Sequence, residues 1–468
     1  MSETHILAPL DIAHLTSQGL VGPVDDGGTR RLHKRRLNRS SDEEHGHIPL
    51  QATVHSHLDA FATIPDQLIS LATIEHVGFS KTKALEIWNS WTNWPVTGPR
   101  RETDIDDGGL QVTFLDFLTE HIGRVDTHDD NDVEWTSCME TYGLATEAQH
   151  AILDVRFKYL RLSRSCAEWS ADTVHMRYAG LEEIQKASRD RAAALRCASS
   201  RPGNSQASRS SSDNVVSTPD TLSTSSSSRP TQRSISSMQR ESVPGISTDS
   251  SSSSIAIAER DVPGYTVLYK GLDQGRIVNL LDDAGRLNQI EALLSPPPSD
   301  FSGTRSLFYF TPDFKVAEYY AAYAKRRANV ESVVIVRIAI PDDAIWGMEE
   351  GEIQRVYWPS REWKELVWYS RRQQRLPSTL RKYRDATLVI GTISKKPERV
   401  YHRLKSWEGV SESHVLKVDR EHSTRKAVQF VFSGEEGQDF LVKHASDNIK
   451  VYPFTQGEMG NWLEQDEV

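Results

Sequence analysis

The sequence predicts an α+β protein, with a helical domain in the N-terminal half and a domain of short strands and helices in the C-terminal half. Residues 56–195 carry apolar side chains at three- and four-residue spacing, which is the period of an amphipathic helix. Residues 260–456 contain short runs rich in Val, Ile and aromatic side chains, with helical runs between them. Because the helical runs fall early in this half and the strands cluster late, α+β is favoured over a doubly wound sheet.

The first 50 residues are polar and irregular, and we expect residues 1–50 to form a disordered tail. The tail contains the basic cluster RRLHKRR at residues 30–36. This cluster fits a nuclear import signal, and it fits equally well a solvated run of charges.

The helical domain is expected to span residues 56–195. Ser80 is expected to cap one of its helices, and Gly123 and Gly143 are suited to end others, because glycine readily adopts the left-handed conformation that follows a helix. Large aromatic side chains dominate helical cores. Five tryptophans are therefore expected to anchor the core of this domain: Trp88, Trp91, Trp94, Trp135 and Trp169.

Between residues 196 and 256 the composition changes to a serine-rich segment with almost no aromatic side chains. Such a segment cannot bury enough apolar surface to offset the cost of ordering its backbone, so we expect a disordered linker. Ser236 follows Arg233 by three residues, a spacing that suits basic-directed kinases. A phosphate on Ser236 would add negative charge and could extend or dock the linker.

The overall composition and charge argue against several classes of protein. The net charge of −10 does not suggest a general nucleic-acid-binding role. The three cysteines are scattered and the histidines show no HxxxH spacing, so neither a disulfide framework nor a metal site is expected. The N-terminus lacks the pattern of a secretory signal, and no apolar run approaches the roughly 20 residues that span a bilayer. We therefore expect a cytoplasmic or nuclear protein with no membrane partner.

A change from strand to helix is predicted at residues 308–314, FYFTPDF, which run into KVAEYYAAYAKRR. Thr311 is expected to be the N-cap, with Pro312 at the first helical position, where its missing N–H costs nothing. Asp313 would lie in the first turn, where the helix dipole favours a negative charge. Packing and helix capping are sufficient to explain this change from strand to helix. The alternative is that the corner between strand and helix holds a ligand.

Three motifs follow one another in the C-terminal half: LYKG at residues 268–271, LFYFTPDFKVAEYYA at residues 307–321 and DATLVIGTI at residues 385–393. This order resembles the ADP-ribosyltransferase-like superfamily over residues 264–405. The C-terminal region also resembles widespread fungal proteins of unassigned function. The resemblance implies a split-sheet architecture in which NAD⁺ lies in a cleft between two small sheets.

The resemblance also implies roles for individual residues. Lys270 takes the first-motif position, where the superfamily usually has His or Arg, and would contact the ribose or phosphate of NAD⁺. Tyr309 and Thr311 take the second-motif position, which braces the nicotinamide. Glu365, at the start of the predicted strand KELVWYS, takes with Glu362 the place of the glutamate that stabilises the oxocarbenium-like transition state. The spacing Glu-x-x-Glu departs from the Glu-x-Glu or Gln-x-Glu of the superfamily.

A basic run at residues 371–384 begins with Arg371, and Tyr369 and Tyr383 are interleaved with its basic residues. It would suit the phosphates of NAD⁺. It would also suit a path for RNA, in which the aromatic side chains stack on bases. The third alternative is a solvated connecting loop.

Three functions remain open at this point. The first is an NAD⁺-binding protein that transfers ADP-ribose to a protein or nucleic-acid acceptor. The second is a catalytically inactive interaction or scaffold protein, and the third is an RNA-associated module that uses residues 371–384. Each site residue also has an ordinary role, Lys270 as a solvated lysine, Tyr309 as part of the core and the two glutamates as surface charges. The first function requires Lys270, Tyr309 and Glu365 to face one cleft.

Overall fold

The structure is a computed structural model, and it describes residues 4–54, 56–95, 97–104, 111–199, 258, 261–282, 284–420 and 423–465. Within these residues helices and sheets are mixed, which confirms the α+β class. Most of the predicted linker at residues 196–256, Ser236 included, lies outside the described residues, whereas residues 196–199 end a helix. Among the described residues, no helix combines the length and the apolar character that crossing a bilayer requires.

The N-terminal half contains short helices, short strands and one long helix. Its helices are α1 (Pro9–Ser17), α2 (Arg39–Glu44), α3 (Leu71–His76), α4 (Lys81–Thr92), α5 (Phe114–Thr119), α6 (Asp132–Tyr142), α7 (Thr146–Ile152), α8 (Lys158–Arg161) and α9 (Cys166–Ser199). Its strands are β1 (Val21–Val24), β2 (Thr29–His33), β3 (Phe61–Pro65), β4 (Arg100–Arg101) and β5 (Gln111–Val112).

Strands β1, β2 and β3 form an antiparallel sheet in that order. Leu32 on β2 and Ile64 on β3 are fully buried. The prediction of a disordered tail over residues 1–50 is therefore wrong for the described part, because this region buries apolar side chains that offset the cost of ordering its backbone. The expectation of an all-helical domain over residues 56–195 is wrong at β3 for the same reason.

The basic cluster at residues 30–36 belongs to this folded region. Arg30 is buried, and its Nε donates to Asp66 at 2.8 Å. His33 is fully buried. The cluster occupies β2 and a 3-10 turn, so it is not a solvated run in a tail, and the Arg30 charge is neutralised inside the protein.

The C-terminal half alternates strands and helices. Its strands are β6 (Tyr265–Asp273), β7 (Leu294–Ser295), β8 (Leu307–Phe310), β9 (Val333–Pro341), β10 (Ile353–Val356), β11 (Leu388–Thr392), β12 (Lys417–Arg420), β13 (Ser423–Lys426), β14 (Val428–Phe432) and β15 (Ile449–Phe454). Its helices are α10 (Phe314–Arg327), α11 (Asp342–Trp346), α12 (Arg361–Arg371), α13 (Arg381–Asp385), α14 (Glu398–Arg403), α15 (Gly434–Ala445) and α16 (Gln456–Gln465).

Two sheets of this half meet at one edge. The first has the order β15-β9-β6, with antiparallel neighbours. The second has the order β10-β11-β14-β8-β7, in which only the pair β10-β11 is parallel. Tyr269 on β6 and Thr311, directly after β8, link the two sheets by reciprocal backbone hydrogen bonds of 2.8 and 2.9 Å. This link holds β6 beside the end of β8.

The segment KELVWYS, predicted as a strand, is part of helix α12. Ser360 caps this helix, because its side chain accepts a hydrogen bond from the Trp363 N–H at 3.3 Å. Trp363, Leu366 and Val367 are fully buried, and their spacing of three and four residues is that of one helix face. The aromatic and β-branched content of the segment favours a strand, but the spacing of its buried residues decides the outcome.

The two halves of the chain share a hydrophobic core. One buried cluster includes side chains from both halves, and within it Phe157 stacks on Trp462 with ring centroids 5.0 Å apart. Helix α9 approaches the C-terminal half closely at Gly180, where a Cβ atom would lie 2.2 Å from Cγ of Glu331. The helical region and the C-terminal sheets are therefore packed directly against each other.

Candidate functional site

A cavity of about 270 Å³ lies where the two C-terminal sheets meet. Strands β6 and β8 and helix α10 form its walls, and residues of α8 and α9 contribute from the N-terminal half. Four of the six site residues predicted from the sequence line it: Lys270, Tyr309, Thr311 and Arg371. They come from separate elements, so the fold brings them together.

Lys270 lies on strand β6. The next residue, Gly271, allows helix α10 to pack close to this strand. At Gly271 a Cβ atom would lie 2.1 Å from the carbonyl oxygen of Ala317, so a larger residue would push α10 away from the sheet. The Lys270 side chain donates hydrogen bonds to the Leu293 carbonyl oxygen at 2.7 Å and to Ser295 Oγ at 2.9 Å. Both acceptors fix the amine at the cavity wall.

Lys270 has an unusual charge state for a lysine. Burial, together with the positive charges of Arg276 and Arg164, lowers the pKa of Lys270 to about 7. Within the described ranges, no carboxylate forms an ion pair with Lys270. The alternative of a solvated lysine at a strand end therefore does not describe this residue.

Thr311 holds the corner together but does not cap the helix. Its Oγ1 donates to the Val428 carbonyl oxygen at 2.9 Å, which ties the end of β8 to β14. The N-cap is Asp313, whose side chain accepts from the Lys315 N–H at 3.2 Å. The predicted change from strand to helix is confirmed, but the cap lies two residues later because the Thr311 backbone pairs with β6.

Tyr309 presents a hydroxyl group to the cavity. Its oxygen accepts hydrogen bonds from Ser299 Oγ at 2.7 Å and from the Phe301 N–H at 3.2 Å. Burial raises the pKa of Tyr309, so the phenol stays protonated at neutral pH. Among the described residues the hydroxyl has no acceptor of its own, which leaves its hydrogen for a ligand.

Asp300 forms a polar cluster that the sequence analysis did not include. Its side chain is almost fully buried. Oδ1 accepts from Arg371 Nε at 2.8 Å and from Ser394 Oγ at 2.6 Å. Oδ2 accepts from the Ser394 N–H at 2.6 Å and from Gln429 Nε2 at 2.8 Å. Four hydrogen bonds thus hold Asp300 as a carboxylate paired with Arg371.

A second polar cluster surrounds Asp172 on α9. Its carboxylate accepts from Arg276 Nη2 at 2.5 Å, Arg327 Nη1 at 2.8 Å and Arg164 Nη1 at 3.4 Å. Burial opposes ionisation of Asp172, but these guanidinium groups outweigh it and hold its pKa below the usual range. Arg327 also lies over the Trp169 ring, 4.6 Å from its centroid, and its buried Nε has no acceptor among the described residues.

The residues of the cavity are the only guide to its ligand. Comparisons with protein-family models, with curated proteins and with solved structures gave no match. The wall has a formal charge of +2, from five basic and three acidic side chains: Arg164, Lys270, Arg276, Arg327 and Arg371 against Asp172, Asp273 and Asp300. Each of the three aspartates is paired with at least one arginine. Such a wall favours an anionic ligand.

Aromatic side chains form much of the remaining wall: Trp169, Tyr269, Tyr309, Phe310, Tyr320 and Tyr323. Those on α10 fall at positions three or four residues apart, so they share the helix face that covers the cavity. Four of the six are buried, whereas Tyr309 and Tyr320 are partly exposed, so these two leave surface that can contact the planar ring of a nucleotide. Together with the basic groups they form a site suited to a molecule with both a ring and a phosphate.

The predicted glutamates are separate from this cavity. Glu365 and Glu362 do not line it. Glu365 accepts a hydrogen bond from Arg361 Nε at 2.8 Å, and Glu362 is exposed. The expectation that Lys270, Tyr309 and Glu365 face one cleft is met for the first two residues but not for Glu365. The reason is that α12 is a helix that reaches the cavity with its C-terminal residue and not with its first turn.

The basic run at residues 371–384 presents only part of what an RNA path requires, because Tyr369 is partly exposed but Tyr383 is buried. Tyr383 is 4% exposed, so it cannot stack on a base. Arg372 lies over the ring of Trp368, 4.2 Å from its centroid. Arg371 belongs to the cavity, and the rest of the run spans a turn and α13.

The contribution of the N-terminal half was missed from the sequence. Trp169 was expected to anchor the core, and although it is 4% exposed, it also lines the cavity. Asp172 lies three residues further along α9 and hence on the same helix face. That spacing was the available signal, but nothing local to α9 indicates that this face meets β6.

Proposed function

We propose that the cavity binds NAD⁺ or a closely related nucleotide, in a C-terminal region of ADP-ribosyltransferase-like architecture. The main support is that Lys270, Tyr309, Thr311 and Arg371, selected from three separate stretches of the sequence, line one cavity. The two small sheets that meet beside Thr311 are also compatible with the split-sheet arrangement.

The basic side chains would hold the phosphates. Arginine recognises phosphate oxygens through two parallel N–H groups, and lysine contributes a point charge. Arg327 lines the cavity, and its guanidinium group pairs with Asp172 there. Lys270 and Arg276 add positive charge to the same wall.

The aromatic side chains and Tyr309 would hold the ring. The Tyr309 O–H is left to donate to a carbonyl group such as that of nicotinamide. Tyr320, which is partly exposed, offers apolar surface on the wall from α10. Ring and phosphate contacts from different walls would fix both the position and the direction of the ligand.

The size of the cavity limits how much of a dinucleotide it encloses. Ligand pockets typically measure about 300–1,000 Å³. At about 270 Å³, this cavity is near the lower end of that range and would enclose one nucleotide unit. The second unit of NAD⁺ would then extend from the cavity towards solvent.

Binding is better supported than transfer of ADP-ribose. Transfer needs a carboxylate close to the anomeric carbon, where positive charge develops. Among the described lining residues, Asp172, Asp273 and Asp300 are all paired with arginines, and Glu365 is outside the cavity. This arrangement is what the catalytically inactive alternative requires.

Calorimetric titration of the full-length protein with NAD⁺ tests the proposal. Lys270→Met removes the amine from the cavity wall and should weaken binding about 10- to 100-fold, since a hydrogen bond to a charged phosphate contributes about 1.5–3 kcal/mol. Lys450→Met is the matched control, because Lys450 is exposed on β15 of the same sheet. Its affinity should equal that of the wild type.

The proposal is overturned if the wild-type protein shows no heat of binding at millimolar NAD⁺. It is also overturned if both lysine variants bind equally well. Release of nicotinamide, followed by chromatography, tests transfer separately. Release that disappears in Glu365→Gln would contradict the placement of Glu365 outside the reacting site.

A further inference from the structure

Lys270 has the geometry of a reactive amine and not only that of a phosphate contact. A neutral amine carries two hydrogens and one lone pair. The carbonyl oxygen of Leu293 and Ser295 Oγ each accept one hydrogen bond from Nζ, at 2.7 and 2.9 Å. Loss of one proton therefore leaves both hydrogen bonds intact and exposes the lone pair at the cavity wall. An arginine at this position could not lose its proton.

The surroundings of Lys270 favour the neutral form. Arg164 and Arg276 raise the local positive charge, and burial lowers the pKa of Lys270 to about 7. Asp172, Asp273 and Asp300 line the same cavity, but all three are paired with arginines. At pH 7 about half of the Lys270 side chains would be free amine, compared with about one in 2,500 for an ordinary lysine. This is a difference of about 10³-fold in the reactive form.

We propose that Lys270 forms a Schiff base with the aldehyde of a phosphorylated sugar bound in the cavity. This inference deepens the proposed function and rests on it for the choice of a ribose phosphate ligand. The phosphate would lie against the three arginines around Asp172, and two of them, Arg164 and Arg276, also disfavour a charged lysine. One cluster would thus both bind the ligand and activate the amine.

The reaction is a condensation that needs no oxidant or metal. The Nζ lone pair attacks C1 of the open-chain sugar, and the carbonyl oxygen takes up a proton to give a carbinolamine. Loss of water then leaves a carbon–nitrogen double bond between C1 and Lys270. NAD⁺ cannot react in this way, because its C1 is held in a bond to nicotinamide. ADP-ribose can, because its terminal ribose opens to an aldehyde.

Reductive trapping tests the inference on the full-length protein. ADP-ribose and sodium cyanoborohydride are added at pH 7, where hydride reduces the imine to a stable secondary amine, and the intact mass is measured. One adduct is expected, and tryptic mapping should place it on Lys270 without the need for any variant. NAD⁺ with the same reductant should give none. Ribose 5-phosphate should label faster than ribose, by about 10-fold or more if the arginines bind the phosphate.

Two variants test whether the adduct forms specifically on Lys270. Lys270→Arg should abolish the adduct, whereas Lys450→Arg, on an exposed lysine, should label like the wild type. Labelling should increase between pH 6 and pH 8, since Lys270 loses its proton in that range. No adduct, or labelling of Lys450 as fast as Lys270, overturns the inference. If NAD⁺ binds but no adduct forms, only this inference fails; if an adduct forms but NAD⁺ does not bind, only the proposed function fails.

Discussion

Replacement of Asp300 by alanine should strongly destabilise the protein, because this carboxylate binds three other residues at once. It accepts hydrogen bonds from Arg371, from the N–H and hydroxyl of Ser394, and from Gln429. The alanine variant would leave a buried guanidinium without its counter-ion. It would also remove the acceptor of three other donors, the N–H and hydroxyl of Ser394 and the Gln429 amide.

The magnitude follows from the burial of the pair. The Asp300 side chain is 2% exposed and that of Arg371 is 12% exposed. Removal of one partner of a buried ion pair costs about 3–5 kcal/mol. The donors left without an acceptor at Ser394 and Gln429 each add about 1 kcal/mol to this cost, so a total loss of at least about 5 kcal/mol is expected.

Urea denaturation followed by tryptophan fluorescence measures the free energy of unfolding. Asp385→Ala is the control, because Asp385 pairs with Arg381 and Arg384 at the surface and should leave the transition midpoint unchanged. If Asp300→Ala lowers the free energy of unfolding by less than about 1 kcal/mol, the buried ion pair and hydrogen bonds of Asp300 do not stabilise the fold as argued. The double variant with Arg371→Met should lose less than the sum of the single changes, since the two residues form one pair.

Three further predictions concern other parts of the chain. Burial, with help from neighbouring carboxylates, raises the pKa of Glu183 to about 8. The free energy of unfolding should therefore fall as the pH rises from about 4.5 to 8, by at most about 5 kcal/mol. Glu183→Gln should remove most of this fall when the free energy is measured by urea denaturation at each pH. Gly271→Ala should lower both stability and NAD⁺ affinity, measured by thermal melting and calorimetry, because its Cβ atom would meet the carbonyl of Ala317. Glu365→Gln should leave the calorimetric affinity for NAD⁺ unchanged, and a clear weakening would show that Glu365 reaches the ligand.

Local patterns predicted those parts of the site that depend on neighbouring residues. Lys270 and Tyr309 lie on strands whose ends are marked by glycine or by Thr-Pro-Asp, so their placement could be inferred. Glu365 was assigned to a strand because KELVWYS is rich in residues that favour strands. The spacing of three and four residues between Trp363, Leu366 and Val367 indicates a helix instead, and in the structure it prevails over composition.

Long-range pairings could not be predicted in the same way. Asp300 lies in an irregular loop after three prolines, and its partners are 71 to 129 residues away along the chain. Asp172 meets Arg276 and Arg327, more than 100 residues away. The first 50 residues were expected to be disordered for a similar reason, since the partner that neutralises Arg30 is the distant Asp66. A single sequence gives no local sign of such partners.

The walls of the cavity come from both halves of the chain. A ligand bound there would therefore make the lifetime of the protein depend on the concentration of that ligand. A molecule that fills it contacts α9 on one side and β6 on the other, so it favours the assembled form over any form in which the halves separate. At a free concentration 100 times its Kd, such a ligand adds about 2.7 kcal/mol to the free energy of unfolding. Cells that run short of the ligand would then hold less of the protein, through faster degradation and with no change in its synthesis.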